Sequence, residues 1–173
     1  MKTLVIYRSK SGFSKAYAVW IARVLEADLR EYRSVRPEQF VAYDTVIYGG
    51  GLYAVGINGV SLIKDNLDVL KDKRVIVFAT GATPSREETS ASIRDANFTP
   101  EQQERIQFFY FRGGFNYQKL SLIDKLLMNL LRLRLKRKKL LTADERGMLS
   151  AFSQPVDFTK EQNIAPLLLS LRF

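Results

Sequence analysis

Short apolar runs alternate with helical patterns along most of this chain, and this alternation constrains the fold more than any other feature of the sequence. The run at residues 4–7 precedes a helical pattern over 15–25, where apolar residues recur every three or four positions. The runs at 45–48 and 74–79 are each followed by another helical stretch. Alternation of this kind is typical of a parallel sheet with helices on both faces. The continuous apolar run at 74–79 fits a strand that is buried on both faces.

The rest of the chain continues this pattern and then departs from it. We expect the glycine triplet at 49–51 to end the third strand and Pro37 to open a brief helix. The other predicted elements are strands at 29–32, 107–111 and 156–158, and helices at 60–70, 85–107 with an interruption near Pro100, 120–135, and 159–171 with Thr159 as its cap. We therefore predict one α/β domain, residues 1–173, with a doubly wound five-stranded parallel sheet and a long insertion at about 113–155.

The first turn from strand to helix, residues 9–14 with the sequence Ser-Lys-Ser-Gly-Phe-Ser, is a candidate anion site. Backbone N–H groups and the dipole of the following helix favour negative charge there, and Gly12 lets the turn approach an anion closely. A P-loop or a dinucleotide fingerprint needs more than this single glycine, so one phosphate monoester fits the turn better than a diphosphate. The alternative is that Ser11 or Ser14 simply caps the helix.

Three loops rich in glycine, serine and threonine leave the carboxyl ends of predicted strands, at 8–14, 49–58 and 80–88. In an open α/β sheet, ligands bind beyond the carboxyl ends of the strands, where the strand order reverses. The three loops therefore predict one pocket, in which a phosphate cradle lies beside two walls that suit a flat ring.

Cysteine and histidine are both absent from the sequence. The chain therefore lacks the usual ligands of zinc and haem, offers neither a thiolate nor an imidazole base, and is predicted to hold no metal. Its chemistry must come from a bound cofactor or from tyrosine, lysine and carboxylate side chains, and no residue stands out as a catalytic acid or base. The chain opens directly into a strand and has no apolar stretch near the roughly 18 residues of a membrane span, so we expect a cytoplasmic protein.

Three stretches of the sequence resemble the flavodoxin-like family. The turn at 9–14 is similar to the family's Thr/Ser-x-Thr/Ser-Gly-x-Thr/Ser phosphate loop, and 49–54 is similar to the loop that lies against the flavin ring. Residues 111–117, followed by 122–128, resemble the branch that contains menaquinone-dependent protoporphyrinogen dehydrogenase. The resemblance covers nearly the whole chain and implies a flavodoxin-like fold with FMN as the cofactor.

The resemblance also implies which residues hold that cofactor. Those expected at the phosphate are Ser9, Ser11, Gly12 and Ser14, with Lys10 and Phe13 contributing main-chain N–H groups. Those expected on one side of the isoalloxazine ring are Gly51, Leu52 and Tyr53, and those expected on the other side are Thr80, Gly81 and Ala82. Alternatively, Tyr53 is an exposed loop aromatic or a residue at the core edge, and Thr80 and Gly81 are ordinary turn residues.

One segment carries most of the protein's charge. Residues 119–139 contain eight basic side chains and one acid, a net charge of +7 out of +9 for the whole chain. Within 121–136, polar residues fall on one stripe at helical spacing and leucines occupy the broad remainder. Most such amphipathic helices face their own core, and we favour that interpretation, with 134–139 as a solvated loop; a membrane interface or a protein partner is the alternative. Nucleic acid is disfavoured because leucines separate the charges.

These observations predict an FMN-binding oxidoreductase or electron-transfer protein. The specific form that the resemblance implies is a protoporphyrinogen-type dehydrogenase that passes electrons to a quinone. Because a quinone acceptor resides in the bilayer, the resemblance favours the membrane alternative for 121–139, as peripheral contact with the inner face of the membrane. The alternatives are a soluble electron carrier that docks an acidic redox partner and a non-redox scaffold that has lost its flavin. Shuttle flavodoxins are usually acidic around the flavin, and the basic charge of this chain counts against the shuttle.

Overall fold

A five-stranded parallel sheet forms the centre of the protein in a computed structural model that describes residues 2–53 and 55–171. The strands, in chain order, are β1 (Thr3–Arg8), β2 (Asp28–Glu31), β3 (Thr45–Tyr53), β4 (Gly56–Ile57), β5 (Arg74–Gly81) and β6 (Ile106–Arg112). Five of them are parallel in the order β2-β1-β3-β5-β6, and the short β4 pairs antiparallel with the end of β3. This order confirms the predicted doubly wound α/β sheet.

Helices cover both faces of this sheet. In chain order, the helices of the described residues are α1 (Phe13–Leu25), α2 (Ser61–Lys64), α3 (Glu87–Asn97), α4 (Pro100–Arg105), α5 (Leu122–Lys136), α6 (Ala143–Ala151) and α7 (Ala165–Ser170), of which α5 and α6 lie beyond the strand ends. Short 3₁₀ helices lie at Tyr32–Ser34, Pro37–Ala42, Tyr117–Lys119 and Glu161–Ile164. The brief helix expected after Pro37 is the second of these.

Alternate side chains of the buried strands enter two separate cores, one on each face of the sheet. In β1, Leu4 and Ile6 belong to one core and Val5 belongs to the other. On the side of Val5, α1 contributes Ile21 and α7 contributes Leu167. Because both faces are covered, a ligand can approach the sheet at the ends of its strands.

The glycine triplet at 49–51 does not end the third strand, contrary to the sequence prediction. Instead β3 runs through it to Tyr53 and pairs with β1 and β5 on either side. A Cβ at Gly49 would overlap the ring of Phe78, a fully buried residue of β5. The triplet therefore makes room for neighbouring side chains within the sheet, and it is not a strand terminator.

Two predicted helices are shorter than expected. The helix at 60–70 is α-helical only over Ser61–Lys64, because the Asp and Asn residues at 65–68 compete with helical backbone hydrogen bonds. The closing helix begins after a 3₁₀ turn, and Thr159 does not cap it. The Thr159 hydroxyl instead donates a hydrogen bond to the carboxylate of Asp157.

Residues 113–155, called the insertion below, leave the carboxyl end of β6 and pass over the same edge of the sheet. They contain β7 (Gly114–Phe115), which pairs antiparallel with β8 (Val156–Asp157), and also α5 and α6. α6 is missing from the prediction, although Thr142 and Glu145 form a capping box at its start.

The basic amphipathic helix of the insertion is α5, and most of its leucines do not pack on the core. Leu135 is the buried residue of this helix, whereas Leu122, Leu126, Leu130 and Leu133 are all more than half exposed. The favoured interpretation of a core-facing leucine surface is therefore wrong. Its periodicity predicts the helix correctly, but periodicity does not specify what the apolar side contacts.

Candidate functional site

A cavity of about 490 Å³ lies at the carboxyl ends of β1, β3 and β5, beneath α5. This volume is within the range of small-molecule sites, roughly 300–1,000 Å³. The predicted site residues that line it are Lys10, Ser11, Phe13 and Ser14 from the first turn, Gly51, Leu52 and Tyr53 from β3, and Thr80, Gly81 and Ala82 from the end of β5. The other two, Ser9 and Gly12, are not among its lining residues. The three predicted loops thus meet at one cavity.

The amino end of α1 carries no side-chain cap. Its N-cap residue is Gly12, whose φ of +98° is a left-handed conformation that glycine adopts at little cost. A Cβ added to Gly12 would have no heavy atom within 4 Å, so the space beside the turn is open. Ser9 supports the turn, because its Oγ accepts a hydrogen bond from the Gly12 N–H at 3.0 Å. The alternative in which Ser11 or Ser14 caps α1 is therefore wrong, and the N–H groups of its first turn stay available to an anion.

The Ser14 hydroxyl points to the end of β5. Its Oγ lies 2.7 Å from Oγ1 of Thr80, either hydroxyl can be the donor, and both residues are buried. One hydroxyl proton of the pair therefore remains for a further acceptor. Gly51 lies beside this pair, since a Cβ there would be 3.5 Å from Ser14 Oγ and 3.9 Å from Thr80 Oγ1. This hydrogen bond fixes the first turn against the wall formed by β5.

Lys10 connects the first turn to the wall formed by β3 and to α5. Its Nζ lies 3.9 Å from the centre of the Tyr53 ring and 3.1 Å from Oδ2 of Asp124. Ser121 Oγ donates to the same carboxylate oxygen at 2.7 Å. The Ser121 hydrogen bond, and after it the Lys10 ammonium, lower the pKa of Asp124 below its ordinary value. Because Asp124 balances the charge of Lys10, the attraction for an anion comes mainly from the N–H groups of the turn.

Tyr53 is a neutral aromatic wall of the cavity. Burial, with a smaller contribution from the Asp124 charge, raises the pKa of Tyr53 to about 12. The side chain is partly buried and lies next to Leu52, so it is not a freely exposed loop aromatic. Its ring offers a flat apolar surface on this side of the cavity.

Two residues of β6 hold the other wall of the cavity, at the end of β5, in place. Tyr110 Oη donates to the Thr83 carbonyl at 2.8 Å, and Arg112 Nε donates to the Ala82 carbonyl at 3.1 Å. Burial raises the pKa of Tyr110 to about 12, so this phenol remains a neutral donor. Thr80 itself lies within β5, as does Gly81. The alternative in which these two are ordinary turn residues is therefore wrong.

The roof of the cavity is the part that the sequence did not predict. It consists of side chains from the insertion, namely Leu120, Asp124, Leu127, Met128 and Leu131, together with the β7 segment. Two signals were present in the sequence. The roof residues recur at helical spacing, and Asp124 is the one acid among the eight basic residues of 119–139. Neither signal indicates that this helix passes over the end of the sheet.

Together these residues suit a ligand with a phosphate at one end and a flat, largely apolar ring at the other. The first turn offers unpaired N–H groups and hydroxyls, and the Tyr53 wall and α5 offer apolar surfaces. The strand order and the position of the cavity define a doubly wound α/β protein whose candidate ligand site lies where the strand order reverses. The family described as Flavodoxin domain matches residues 4–141, and the chain belongs to this family. A search of the curated proteins finds no match.

Several solved structures are similar to this chain in fold. The Trp repressor binding protein from Bacillus subtilis is 18% identical, with a TM-score of 0.49, over 80% of this chain and 100% of that chain. Oxidised flavodoxin 2 from Bacillus cereus is 24% identical, with a TM-score of 0.43, over 65% of this chain and 84% of that one. A flavoprotein from Lactobacillus acidophilus NCFM, solved in complex with FMN, is 19% identical, with a TM-score of 0.40, over 64% and 91% of the two chains.

Proposed function

We propose that the protein binds FMN in the cavity at the carboxyl edge of its sheet and acts as an oxidoreductase or electron-transfer protein through that flavin. The observation that carries the proposal is the uncapped amino end of α1, beside a cavity of small-molecule size, in a member of the flavodoxin domain family. A helix amino end of this kind suits a phosphate monoester.

In this proposal the first turn holds the phosphate. The N–H groups of Lys10 and Phe13 and the hydroxyls of Ser11 and Ser14 are its donors, and Ser9 keeps Gly12 in the left-handed conformation that the turn needs. Leu52 and Tyr53, next to Gly51, contact one side of the flavin ring. Thr80, Gly81 and Ala82 contact the other side.

When bound, the flavin supplies the redox chemistry, and the protein supplies binding, orientation and electrostatics. Tyr53, with its pKa raised to about 12, places no negative charge against the ring near neutral pH. The Lys10 to Asp124 ion pair joins α5 to the first turn, and the leucine and methionine side chains of the roof give the cavity an apolar cover. None of these roles requires a histidine or a cysteine.

We further propose that the redox partner is a quinone, as in a protoporphyrinogen-type dehydrogenase. The support for this form is the apolar roof, where Leu127, Met128 and Leu131 face the cavity and suit a lipophilic molecule beside the flavin. A carrier that docks an acidic redox protein is the second candidate. It is favoured by Arg134 and Lys139, which form no ion pair among the described residues.

The cofactor proposal is tested by purifying the protein and identifying what it releases on denaturation. We expect a yellow protein that releases one equivalent of FMN, and apoprotein that quenches the fluorescence of added FMN. Gly12→Ala should weaken FMN binding about tenfold, because an alanine at positive φ costs roughly 1–2 kcal/mol. Gly147→Ala is the matched control, because its Cβ also meets no atom within 4 Å but its φ is ordinary. A colourless protein that cannot be reconstituted would contradict the proposal and favour the scaffold.

The electron donor and acceptor need a separate experiment on the FMN-loaded protein. We expect anaerobic oxidation of protoporphyrinogen that depends on a menaquinone analogue. Reduction of an acidic one-electron carrier protein without quinone turnover would instead favour the second candidate. The variant that tests the roof is Leu127→Gln, which makes the roof more polar. We expect it to lower quinone turnover by a larger factor than it lowers the affinity for FMN.

A further inference from the structure

The outward side of α5 exposes a continuous row of large apolar side chains. The exposed fractions are 85% for Leu122, 73% for Ile123, 63% for Leu126, 57% for Leu130 and 54% for Leu133. We call these five residues the outer row. They follow one another at helical spacing and share one side of the helix. Single exposed leucines are ordinary on protein surfaces, but a contiguous apolar patch usually marks an interaction site.

The opposite side of α5 is already occupied by the protein itself. Met128 and Leu131 line the cavity, Leu135 is buried, and the guanidinium of Arg132 lies 5.3 Å from the centre of the Phe152 ring. Asp124, on the same side, holds the ion pair with the first turn. Rotating the outer row inward would break these contacts, so the row is available to a partner outside the chain.

Cations continue the outer row at the carboxyl end of the helix. Arg134 lies four residues after Leu130, and Arg137 lies four residues after Leu133, so each falls on the same side as the leucine before it. Lys139 follows just beyond the helix. All three are exposed, and none forms an ion pair in the part of the chain that the structure describes. The surface is therefore apolar along most of its length and positive at one end.

We propose that the outer row lies in the interface of an anionic lipid bilayer, with Arg134, Arg137 and Lys139 against lipid phosphates. An amphipathic helix with a leucine surface and basic residues at its border binds such an interface in the plane of the membrane. Basic residues next to an anionic leaflet add electrostatic attraction. The contact is peripheral, since every helix in 2–53 and 55–171 is too short or too polar to span a bilayer.

Charge and side-chain chemistry favour a bilayer over a protein. A second copy of this chain would bring two segments of net charge +7 together across a symmetric interface, which repulsion opposes. The outer row also contains no hydrogen-bonding side chain, whereas protein interfaces normally combine apolar contacts with direct hydrogen bonds. A bilayer requires apolar area and positive charge, and the surface provides both.

The position of α5 gives this docking a consequence for the site. The same helix forms the roof of the cavity with its inner side and contacts lipid with its outer side. A docked protein therefore holds its cavity at the membrane surface, where lipid-soluble molecules are concentrated. Docking itself does not rest on the proposed function, because it uses none of the residues assigned to FMN.

The test is flotation of the purified full-length protein with vesicles of phosphatidylcholine alone or with 40% phosphatidylglycerol. We expect the protein to float with the anionic vesicles and to remain in solution with the neutral ones. Leu126→Gln with Leu130→Gln should lower the partition coefficient about tenfold, since both side chains leave water on docking. Val41→Gln with Leu169→Gln is the matched control, because these residues are 72% and 54% exposed elsewhere on the surface. This control should float like the wild type.

A second pair of variants tests the charge contribution. Arg134→Gln with Arg137→Gln should also lower binding to anionic vesicles about tenfold, and added salt should weaken wild-type binding. Arg33→Gln with Lys71→Gln removes two exposed cations elsewhere and should have no comparable effect. Circular dichroism and bound FMN should be unchanged in all four double variants.

Four results would overturn the proposal. The first is wild-type protein that fails to float with anionic vesicles, and the second is equal flotation with neutral ones. The third is flotation that survives loss of Leu126 and Leu130. Light scattering that shows a dimer whose formation prevents flotation would likewise assign the outer row to a second copy. FMN content is measured on the same samples, so failure of the docking is distinguishable from failure of the cofactor proposal.

Discussion

The helices α1 and α5 are both amphipathic and similar in length, but the structure uses their apolar sides in opposite ways. α1 buries Tyr17, Ala18 and Ile21 against the sheet. α5 directs its outer row to solvent and contacts the rest of the protein through its other side. The difference follows from what precedes each helix. α1 follows a buried strand through a short turn and must return over the sheet, whereas α5 follows a loop that has already left it. Apolar periodicity therefore identifies both helices but not their surroundings.

The largest expected effect is on stability, from equivalent truncations in the two helices. Ile21→Ala should lower the free energy of unfolding by about 3 kcal/mol, because Ile21 is fully buried and its loss leaves a cavity. Leu126→Ala should change it by less than about 0.5 kcal/mol, because Leu126 is 63% exposed. Urea denaturation followed by circular dichroism measures both values. A comparable loss for Leu126→Ala would mean that α5 is packed on the core after all.

Two glycines allow the same comparison between a packed and an exposed region of the molecule. Gly49→Ala should cost about 2 kcal/mol or more, because the new Cβ would overlap the Phe78 ring inside the sheet. Gly147→Ala in α6 should instead stabilise the protein by up to about 1 kcal/mol, because its Cβ meets nothing and alanine is the better helix former. Thermal unfolding of the two variants gives the sign of each effect. A stabilised Gly49→Ala protein would show that β3 tolerates a side chain within the triplet.

The sheet could be predicted from the sequence because its signals are local. The apolar runs at 4–7, 45–48 and 74–79 have one stable placement, buried between two layers of helices. The continuation of β3 to Tyr53 could not be predicted in the same way. Glycine usually signals a turn, and only the position of Phe78 on the neighbouring strand shows why the triplet belongs to the sheet.

The candidate site also has one part that could be predicted from the sequence and another that could not. The first turn and the two walls follow chain segments that end predicted strands, so the three loops could be placed together from topology alone. The roof depends on contacts between distant residues. Lys10 and Asp124 are 114 positions apart, and no pattern near either residue indicates that they meet. The exposure of the outer row was likewise not predictable, because it depends on the path of the insertion over the strand ends.

A smaller effect is expected where α1 meets the wall formed by β5. Ser14→Ala and Thr80→Val each remove one side of a buried hydroxyl pair at 2.7 Å and should each cost about 1–2 kcal/mol. The double variant should cost less than the sum of the single variants, by about 1 kcal/mol, because the second substitution no longer leaves a hydroxyl unpaired. Urea denaturation of the four proteins completes the cycle. Additive losses would mean that the two hydroxyls do not depend on each other.

The smallest effect concerns the ion pair that joins the first turn to α5. Asp124→Asn removes the carboxylate next to Lys10, whose side chain is 45% exposed, so the loss should stay under about 1 kcal/mol. We expect a few-fold faster hydrogen exchange of the α5 amides and little change in global unfolding. Asp72→Asn, an exposed acid before β5 at the opposite edge of the sheet, is the charge-matched control. Unchanged exchange in α5 would mean that the roof is held by its apolar contacts alone.

The pH dependence of hydrogen exchange in α5 tests whether the Asp124 carboxylate causes the difference between wild type and Asp124→Asn. Because the Ser121 hydrogen bond and Lys10 lower the pKa of Asp124 in the folded protein, the ion pair contributes its stability above the unfolded pKa of about 4. This contribution is lost as the pH falls through the lower folded value. Wild type and Asp124→Asn should therefore differ at pH 7 and converge once the pH is below the folded pKa of Asp124, after correction for intrinsic exchange rates. If the two proteins still differ in acid, the faster exchange of α5 comes from the shape of the asparagine side chain and not from loss of the ion pair. The roof would then be held in place by packing, as α1 is.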